Sequence, residues 1–426
     1  MTVSIHRDNR ATGATAALRT PVPRPVCTDC GVSRMAQPSL CASVCQFIKP
    51  DYPALERKVH GVSRAESEAA QATHFGPYKA MHRARLKAAR EGAQWTGLTT
   101  ELAAAALREG AVDAVLTVRA DTQDRWKPQP VLVTDPAALA ACRGMRMGYA
   151  PLLALLEEAQ ARGLKRLAVI GIPCQVHALR AMQDSLGFDE IVVIGTPCSD
   201  NTTTQNFHRF LAELTDTPQA VTYLEFRADY HVEMRFADGE TRLIPFLKLP
   251  LSRLPADFFP LPCRTCVDYT NALADITVGY MAGEGDQWLL VRNERGQSLL
   301  DRLGDAVELG PVGTGGRRAG SVRGFIANTA RAAGGMPARA MPDWLRPLVA
   351  WLMPKVGPRG LEFALARVEM KAAETVLHLR RRMPRRMKAM VPEHVWTLVE
   401  PYGLTPEVGE RPAVRDDTGA LPPRRR

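Results

Sequence analysis

LAVIGIPC (residues 167–174) and IVVIGTPC (residues 191–198) are two copies of one pattern, an unbroken apolar run closed by Gly-x-Pro-Cys. A run with no polar alternation is what a strand buried on both faces looks like. Residues 175–186 between them have helical spacing, so the stretch reads as a strand–helix–strand unit with parallel strands. Parallel neighbours end at the same edge of a sheet. Cys174 and Cys198 are therefore expected together at the carboxyl edge, where open α/β sheets bind ligands. The fold class that follows is mixed α/β, with a mixed sheet core and flanking helices.

Working outward, residues 94–110 read as a Gly/Thr turn feeding an Ala-rich helix that stops at Gly110. Residues 111–118 and 130–134 are short apolar strands, and residues 149–162 are helical. After Asp216 the pattern becomes antiparallel. Residues 221–227 alternate, and residues 231–236 and 241–246 flank an Ala-Asp-Gly turn as a hairpin. Two further strands are expected at 274–282 and 287–292. Beyond Gly310 the composition shifts to Gly, Arg, Pro and amphipathic helix.

A chain of 426 residues with 46% hydrophobic and 23% charged residues has enough material for one large or two medium folded units. No apolar stretch approaches the roughly 20 residues of a spanning helix. Residues 1–24 hold no apolar block of the kind a secretory signal needs, so a cytoplasmic protein is expected. The net charge is +10, but residues 311–426 alone carry 21 Lys+Arg against 10 Asp+Glu. The remainder is thus near neutral, which argues against nucleic-acid binding and for one local basic surface.

Nine cysteines without an export signal point to metal ligation or redox work rather than disulfides. Cys27, Cys30, Cys41 and Cys45 have the spacing C-x2-C-x10-C-x3-C, which suits an iron–sulfur centre or a structural zinc knuckle. Cys174 and Cys198 would join Cys263 and Cys266, another C-x2-C pair. Four thiolates drawn from three places in a fold are more typical of a buried 4Fe–4S cluster than of a zinc finger. Read singly, Cys174 and Cys198 are equally buried small hydrophobes. Cys142 has no partner nearby and reads as a plain thiol.

These residues resemble a known family. GIPCQVHALR (171–180), PCRTCVDYTNALADITVGYMAG (262–283) and CTDCGV (27–32) are similar to the deazaflavin-coenzyme hydrogenase/dehydrogenase beta-subunit family. AQWTGLTT (93–100), CSDNTT (198–203) and GEGDQWLLVRNERG (283–296) resemble its branch of divinyl chlorophyllide 8-vinyl reductases and 7-hydroxymethyl chlorophyll a reductases. The resemblance implies FAD, two 4Fe–4S clusters and reduced ferredoxin as electron donor. It also implies a chlorophyllide-type tetrapyrrole substrate whose 8-vinyl group is reduced to ethyl. Its ligands map to Cys27 and Cys30 at one centre and to Cys174, Cys198, Cys263 and Cys266 at the other. The family's N-terminal motif has a third Cys where this chain has Ser33. Cys45 fits the later Cys of that motif, and Cys41 is taken as the replacement ligand.

For the flavin, Gly97, Thr99 and Thr100 stand just before a helix start, a natural phosphate seat that is equally an ordinary capped helix. Arg143, Gly144 and Arg146 match no complete dinucleotide fingerprint. Gln175 after Cys174, and Asn201, Thr202 and Thr204 after Cys198, belong to the same expected edge. Asp268, Tyr269, Asp275, Tyr280, Glu225 and His231 are proton-donor candidates by location, a structural role being the commoner one for each. The implied domains are a disordered lead-in (1–24), an N-terminal iron–sulfur segment (25–90), a FAD/iron–sulfur α/β catalytic domain (91–310), a helical basic extension (311–406) and a disordered tail (407–426). Within the extension, MPDWLRPLVAWLMP (341–354) and the cationic RRRMPRRMK (380–388) suit an anionic lipid surface or acidic ferredoxin, or else a packed helix followed by a solvated charged face.

Overall fold

The strand–helix–strand unit is present as expected. In the computed structural model, which describes residue 19 and residues 26–227, 229–279 and 286–411, the two apolar runs form parallel neighbours from Arg166–Gly171 and Glu190–Gly195, with Gly171 opposite Gly195. The connecting helix, Pro173–Met182, starts on a proline at its first position, where the missing N–H costs nothing.

In chain order the strands are β1 (Ala80–Leu86), β2 (Ala114–Ala120), β3 (Pro128–Val133), β4 (Arg166–Gly171), β5 (Glu190–Gly195), β6 (Val221–Phe226), β7 (His231–Phe236), β8 (Thr241–Pro245), β9 (Ile276–Gly279), β10 (Gln287–Val291), β11 (Val307–Gly310), β12 (Thr314–Gly315) and β13 (Arg359–Gly360). The main sheet runs β11-β1-β10-β9-β5-β4-β2-β3. Its centre, β2-β4-β5-β9, is parallel and its flanks are antiparallel. β6, β7 and β8 make a separate three-stranded antiparallel sheet, including the expected hairpin. β1, from within residues 25–90, and β11 both pair in the main sheet.

The α-helices are α1 (Cys41–Val44), α2 (Tyr52–His60), α3 (Ala72–Phe75), α4 (Leu98–Arg108), α5 (Leu156–Ala161), α6 (Pro173–Met182), α7 (Thr204–Leu214), α8 (Leu261–Arg264), α9 (Glu294–Asp301), α10 (Arg318–Arg331), α11 (Leu345–Val356), α12 (Leu361–Arg382), α13 (Met387–Met390) and α14 (Glu393–Val399). The pleat divides them into layers. Ala168, Val192, Leu289 and Val291 face α4 and α9. On the opposite face, Leu167, Val169 and Val193 pack against α6 and the N-terminal segment, including Val32, Val44 and Tyr52. Trp288 and Leu290, on that same face, pack against α12 and α14. The segment from Val32 to Tyr52 and the helices α12 and α14 thus share one face of the sheet. Among the described residues, no helix is long and apolar enough to cross a membrane.

The C-terminal helices both pack and expose charge. α12 buries Phe363, Leu365, Val368, Val376 and Leu379, while Arg381, Arg382, Arg385 and Lys388 are exposed. Several other charges of this region point inward. Arg318 bonds Glu362 and Glu369, Arg380 bonds Glu410, and Arg386 donates to the carbonyls of Phe47 and Ile48.

One buried ion pair locks the central strands. Asp275, just before β9, receives Arg180 from α6 at 2.7 Å, the Val193 N–H of β5 at 2.7 Å and Asn293 at 2.8 Å. Burial alone would raise its pKa, but Arg180 and Arg295 hold the carboxyl below its usual value. Removing one partner strands the other charge in the core. Arg180→Met is expected to cost about 3–5 kcal/mol in chemical denaturation followed by tryptophan fluorescence. An unchanged midpoint would show the pair to be dispensable.

Candidate functional site

The carboxyl ends of β4 and β5 are tied together by a residue that carries no obvious sequence signal. Asn271 adopts φ +58°, and its Nδ2 donates to the Gly171 carbonyl at 2.7 Å and the Thr196 carbonyl at 3.3 Å. Gly195 has to be glycine because a Cβ there would meet Ala274 Cβ at 2.6 Å and Asn271 Cγ at 2.7 Å. Both Pro-Cys pairs leave the sheet beside this clamp.

Cys174 lies in the first turn of α6, Cys198 in the loop after β5, Cys263 in α8, and Cys266 just beyond it. The Cys198 N–H bonds the Tyr269 carbonyl, which anchors one loop on the other. The four are mutual neighbours: Cys263, Cys198 and Cys266 all act electrostatically on Cys174. Burial, and then these neighbours, push the Cys174 and Cys198 thiols far up. Burial pushes Cys263 to about 12 and Cys266 to about 11. Two donors already face the sulfurs. The Asn201 main-chain N–H points at Cys263, and Gln46 Nε2 reaches Cys266 Sγ at 3.2 Å.

Cys27, Cys30, Cys41 and Cys45 form the second set. The Cys45 N–H bonds the Cys41 carbonyl, so one helical turn puts these two on the same side. Burial raises Cys30 to about 12, and Cys45, Cys41 and Cys27 add to it. Cys41 therefore stands with the other three, whereas the Ser33 hydroxyl is buried with no hydrogen-bond partner among the described residues. Gly31, at φ +111°, lets the Cys27–Cys30 loop press on the turn at 152–155, where a Cβ would sit 2.5 Å from the Ala154 nitrogen.

The two sets adjoin. Cys30 acts on Cys174, and Gln46, next to Cys45, bonds Cys266. Tyr52 donates to Gln46 at 2.8 Å and stacks 5.2 Å from His177, whose Nδ1 meets the Val44 carbonyl. Eight thiols gathered so closely cannot ionise together without a positive body among them. Among the described residues, no three His, Cys, Asp or Glu side chains close on a point as a single ion requires. A zinc ion draws sulfurs to about 2.3 Å from one centre, whereas each corner iron of a cubane takes one thiolate, so the sulfurs stand further apart. An all-thiol donor set is the chemistry that iron–sulfur clusters take. Cys142 stands apart, packed with Leu102 and Leu139 in the layer on the other face.

The flavin candidates fall into one neighbourhood. Asn201 Nδ2 donates to the Gly148 carbonyl and Thr204 Oγ1 to the Met147 carbonyl, joining the CSDNTT and RGMRMG loops. Arg143 Nη1 donates to the Glu91 carbonyl, and a Cβ at Gly144 would lie 3.1 Å from the Gly92 oxygen, which brings in the loop before Gly97. The Nε–H groups of Arg143 and Arg146 are buried without a hydrogen-bond partner among the described residues, as an anion seat leaves them. Gly97 caps α4 at φ +88°. Gln287 from β10 occupies the Leu98 N–H, and Thr100 bonds back to the Gly97 carbonyl. Part of the expected phosphate seat is thus closed by the protein itself, while Thr99 remains half-buried at its rim. Gln175 spends its amide on the Ile172 N–H and the Ala150 carbonyl.

The proton-donor candidates do not gather. Both Asp268 oxygens accept the Ala272 N–H, and Asp275 belongs to the ion pair in the core. Tyr269, beside Asp268, is buried with Arg367 6.0 Å over its ring. Glu225 and His231 lie in the three-stranded sheet, bonded to Tyr223 and Asp229. Tyr280 is outside the described residues. One residue escaped sequence reasoning: Tyr149, half-buried, acted on by Cys263, Cys27 and Cys174 together, its phenol raised chiefly by burial. A cavity of about 250 Å³ opens at the start of β10, lined by His82, Arg83, Gln287, Trp288 and Arg359.

The chain matches the profiles described as coenzyme F420 hydrogenase/dehydrogenase beta subunit, N-term over residues 81–157 and C terminus over residues 164–313. It is 33% identical over 380 residues to an uncharacterized protein of Nostoc sp., covering 89% of this chain and 94% of that one. It is 33% identical over 394 residues to the chloroplastic 7-hydroxymethyl chlorophyll a reductase of Oryza sativa subsp. japonica, covering 88% and 82%. These two similarities extend beyond the region of the family profiles. A chain of the F420-reducing NiFe hydrogenase complex of Methanosarcina barkeri superposes with TM-score 0.51 at 22% identity, covering 56% of this chain and 84% of that one, which shows a common fold.

Asn271→Ala would keep a Cβ at positive φ and leave the Gly171 carbonyl unsatisfied. A loss of about 2–4 kcal/mol in chemical denaturation is expected. Stability equal to the parent would remove the clamp from the account.

Proposed function

The chain belongs to the coenzyme F420 hydrogenase/dehydrogenase beta-subunit family, and from that premise we propose that it is an iron–sulfur flavoprotein that reduces a chlorophyllide-type tetrapyrrole. The observation that carries this reading is the convergence of two adjoining four-thiol sets at one sheet edge. The reaction proposed is reduction of the 8-vinyl group of 3,8-divinyl (proto)chlorophyllide a to ethyl, with reduced ferredoxin as donor. Cys27, Cys30, Cys41 and Cys45 would hold one 4Fe–4S cluster, and Cys174, Cys198, Cys263 and Cys266 the other. Arg143, Arg146, Asn201 and Thr204 would border FAD.

Bound there, clusters relay single electrons and a flavin pairs them, matching the two electrons and two protons that saturating a vinyl group consumes. The protein's part is to hold and shield. Gln46 and the Asn201 N–H direct donors at sulfur, and α12 with α14 covers the face on which the sets lie. The relationship to a chlorophyll reductase over most of both chains supports a tetrapyrrole over a deazaflavin as substrate. The name of that relative also favours a second reading, reduction of a 7-hydroxymethyl group. A third is an electron-transfer subunit serving a partner enzyme.

Anaerobically purified protein is expected to be brown, with about eight irons and one FAD per chain. Cys41→Ala is expected to lose about half of the iron and Cys142→Ala none. A colourless, zinc-containing protein refutes the proposal. Given reduced ferredoxin and divinyl chlorophyllide, the protein alone should release the 8-ethyl product. A 7-methyl product from hydroxymethyl chlorophyll selects the second reading, and no turnover without a partner selects the third.

Peripheral contact with an anionic lipid surface fits α11 rather than the 380–388 block. Trp344 and Trp351 are 76% and 60% exposed on one helical face with Leu348 and Val356, and Lys355 Nζ stands 3.4 Å over the Trp351 ring. Flotation with phosphatidylglycerol vesicles is expected, with loss in Trp344→Ser/Trp351→Ser. Equal flotation of both proteins removes α11 from the account.

A further inference from the structure

We propose that α12 forms an electrostatic wall of the site built from Cys174, Cys198, Cys263 and Cys266, and that Lys371 and Glu374 on it set the reduction potential of the cluster held there. The inference rests on the reading of those four thiols as cluster ligands.

α12 lies outside both family profiles, yet it is stitched to the two loops that carry Cys198 and Cys266. Arg367 Nη2 donates to Ser199 Oγ at 2.5 Å. Lys371 Nζ donates to Asp200 Oδ1 at 2.7 Å and to Glu374 Oε2 at 2.9 Å. Thr375 Oγ1 donates to the Cys266 carbonyl at 3.2 Å. Arg367, Lys371 and Thr375, three positions spread over two turns of one helix, thus reach the two loops that carry Cys198 and Cys266. His378, one turn further on, stands 3.6 Å from Glu374 Oε1 and continues the polar row.

The row is buried. Lys371 is 5% exposed and Glu374 9%, on a helix that also buries Phe363, Leu365, Val368, Val376 and Leu379. An ammonium in such a place is costly unless it is paired. What the charge does reach is sulfur: Lys371 favours the thiolate forms of Cys198, Cys263 and Cys266. Asp200 opposes it at Cys198 and Cys263.

A 4Fe–4S cluster gains one negative charge when it takes up one electron. A fixed cation beside it favours the reduced form, and a fixed anion disfavours it, the more so in a medium of low dielectric. Lys371 therefore raises the potential of this cluster and Glu374 restrains the rise. At the other set, the charges that weigh most on Cys30 are those of its own companions, Cys45, Cys41 and Cys27. One helix added to the common fold would in this way separate the potentials of two otherwise similar centres.

The test is an anaerobic redox titration of the reconstituted full-length protein, followed by electron paramagnetic resonance, for the parent and for Lys371→Met, Lys371→Arg and Glu374→Gln. Of the two reduction waves, only one should move. It should become more negative in Lys371→Met, less negative in Glu374→Gln, and stay near the parent in Lys371→Arg. Shifts of opposite sign are not what a packing defect produces. If Lys371→Met fails to hold its cluster, Glu374→Gln decides alone: a less negative wave supports the proposal and an unmoved one overturns it. Variants with full iron and sulfide but unmoved waves overturn it as well. A parent protein without iron refutes the underlying reading of the thiols.

Discussion

The structure turns on one electrostatic constraint: thiols are gathered where ionisation is hardest. Burial drives the thiols of Cys30, Cys174, Cys198, Cys263 and Cys266 upward, and each set's members worsen it for one another. The ligation we propose needs a compensating positive body and a scaffold rigid enough to prevent the sulfurs from relaxing apart. The sheet supplies that rigidity. Parallel pairing brings Gly171 and Gly195 level, and the Asn271 clamp then fixes how their loops depart.

The two chain ends complete the enclosure from opposite sides. The N-terminal segment brings its own four thiols against α6, through Tyr52 and His177, while the C-terminal helices close over Trp288 and Leu290. Val267, one residue beyond Cys266, packs into both hydrophobic layers at once. The thiol sets lie along this seam. The site is thus an interface between segments far apart in sequence, which suits a relay that must pass electrons inward and keep water out.

Much of this was legible from residues alone. The twin runs ending in Pro-Cys marked parallel strands because only a doubly buried strand tolerates such unbroken apolarity. The hairpin at 231–246 and the helix ending near Gly110 followed from turn chemistry. The two sets of cysteines that the fold brings together were marked by spacing and by repetition at equivalent strand ends. Asn271, Gln46 and Tyr149 were not legible, since nothing in their local sequence distinguishes them from ordinary loop residues. Which charges of α12 turn inward was not legible, because a residue count carries no direction. Nor was the bond from Gln287 to the Leu98 N–H, which comes from nearly 190 residues away.

By itself the sequence determined which residues are able to ligate, which segments are strands or helices, and that the core is a mixed α/β sheet. These follow from side-chain chemistry and from periodicity, both local properties. Tertiary structure alone decided that Cys27, Cys41 and Cys45 stand close enough to act on Cys30, that the two sets adjoin, and that a buried lysine faces one of them. Those facts depend on distances between segments separated by hundreds of residues, and distance in space is set by how layers pack, which no local pattern encodes.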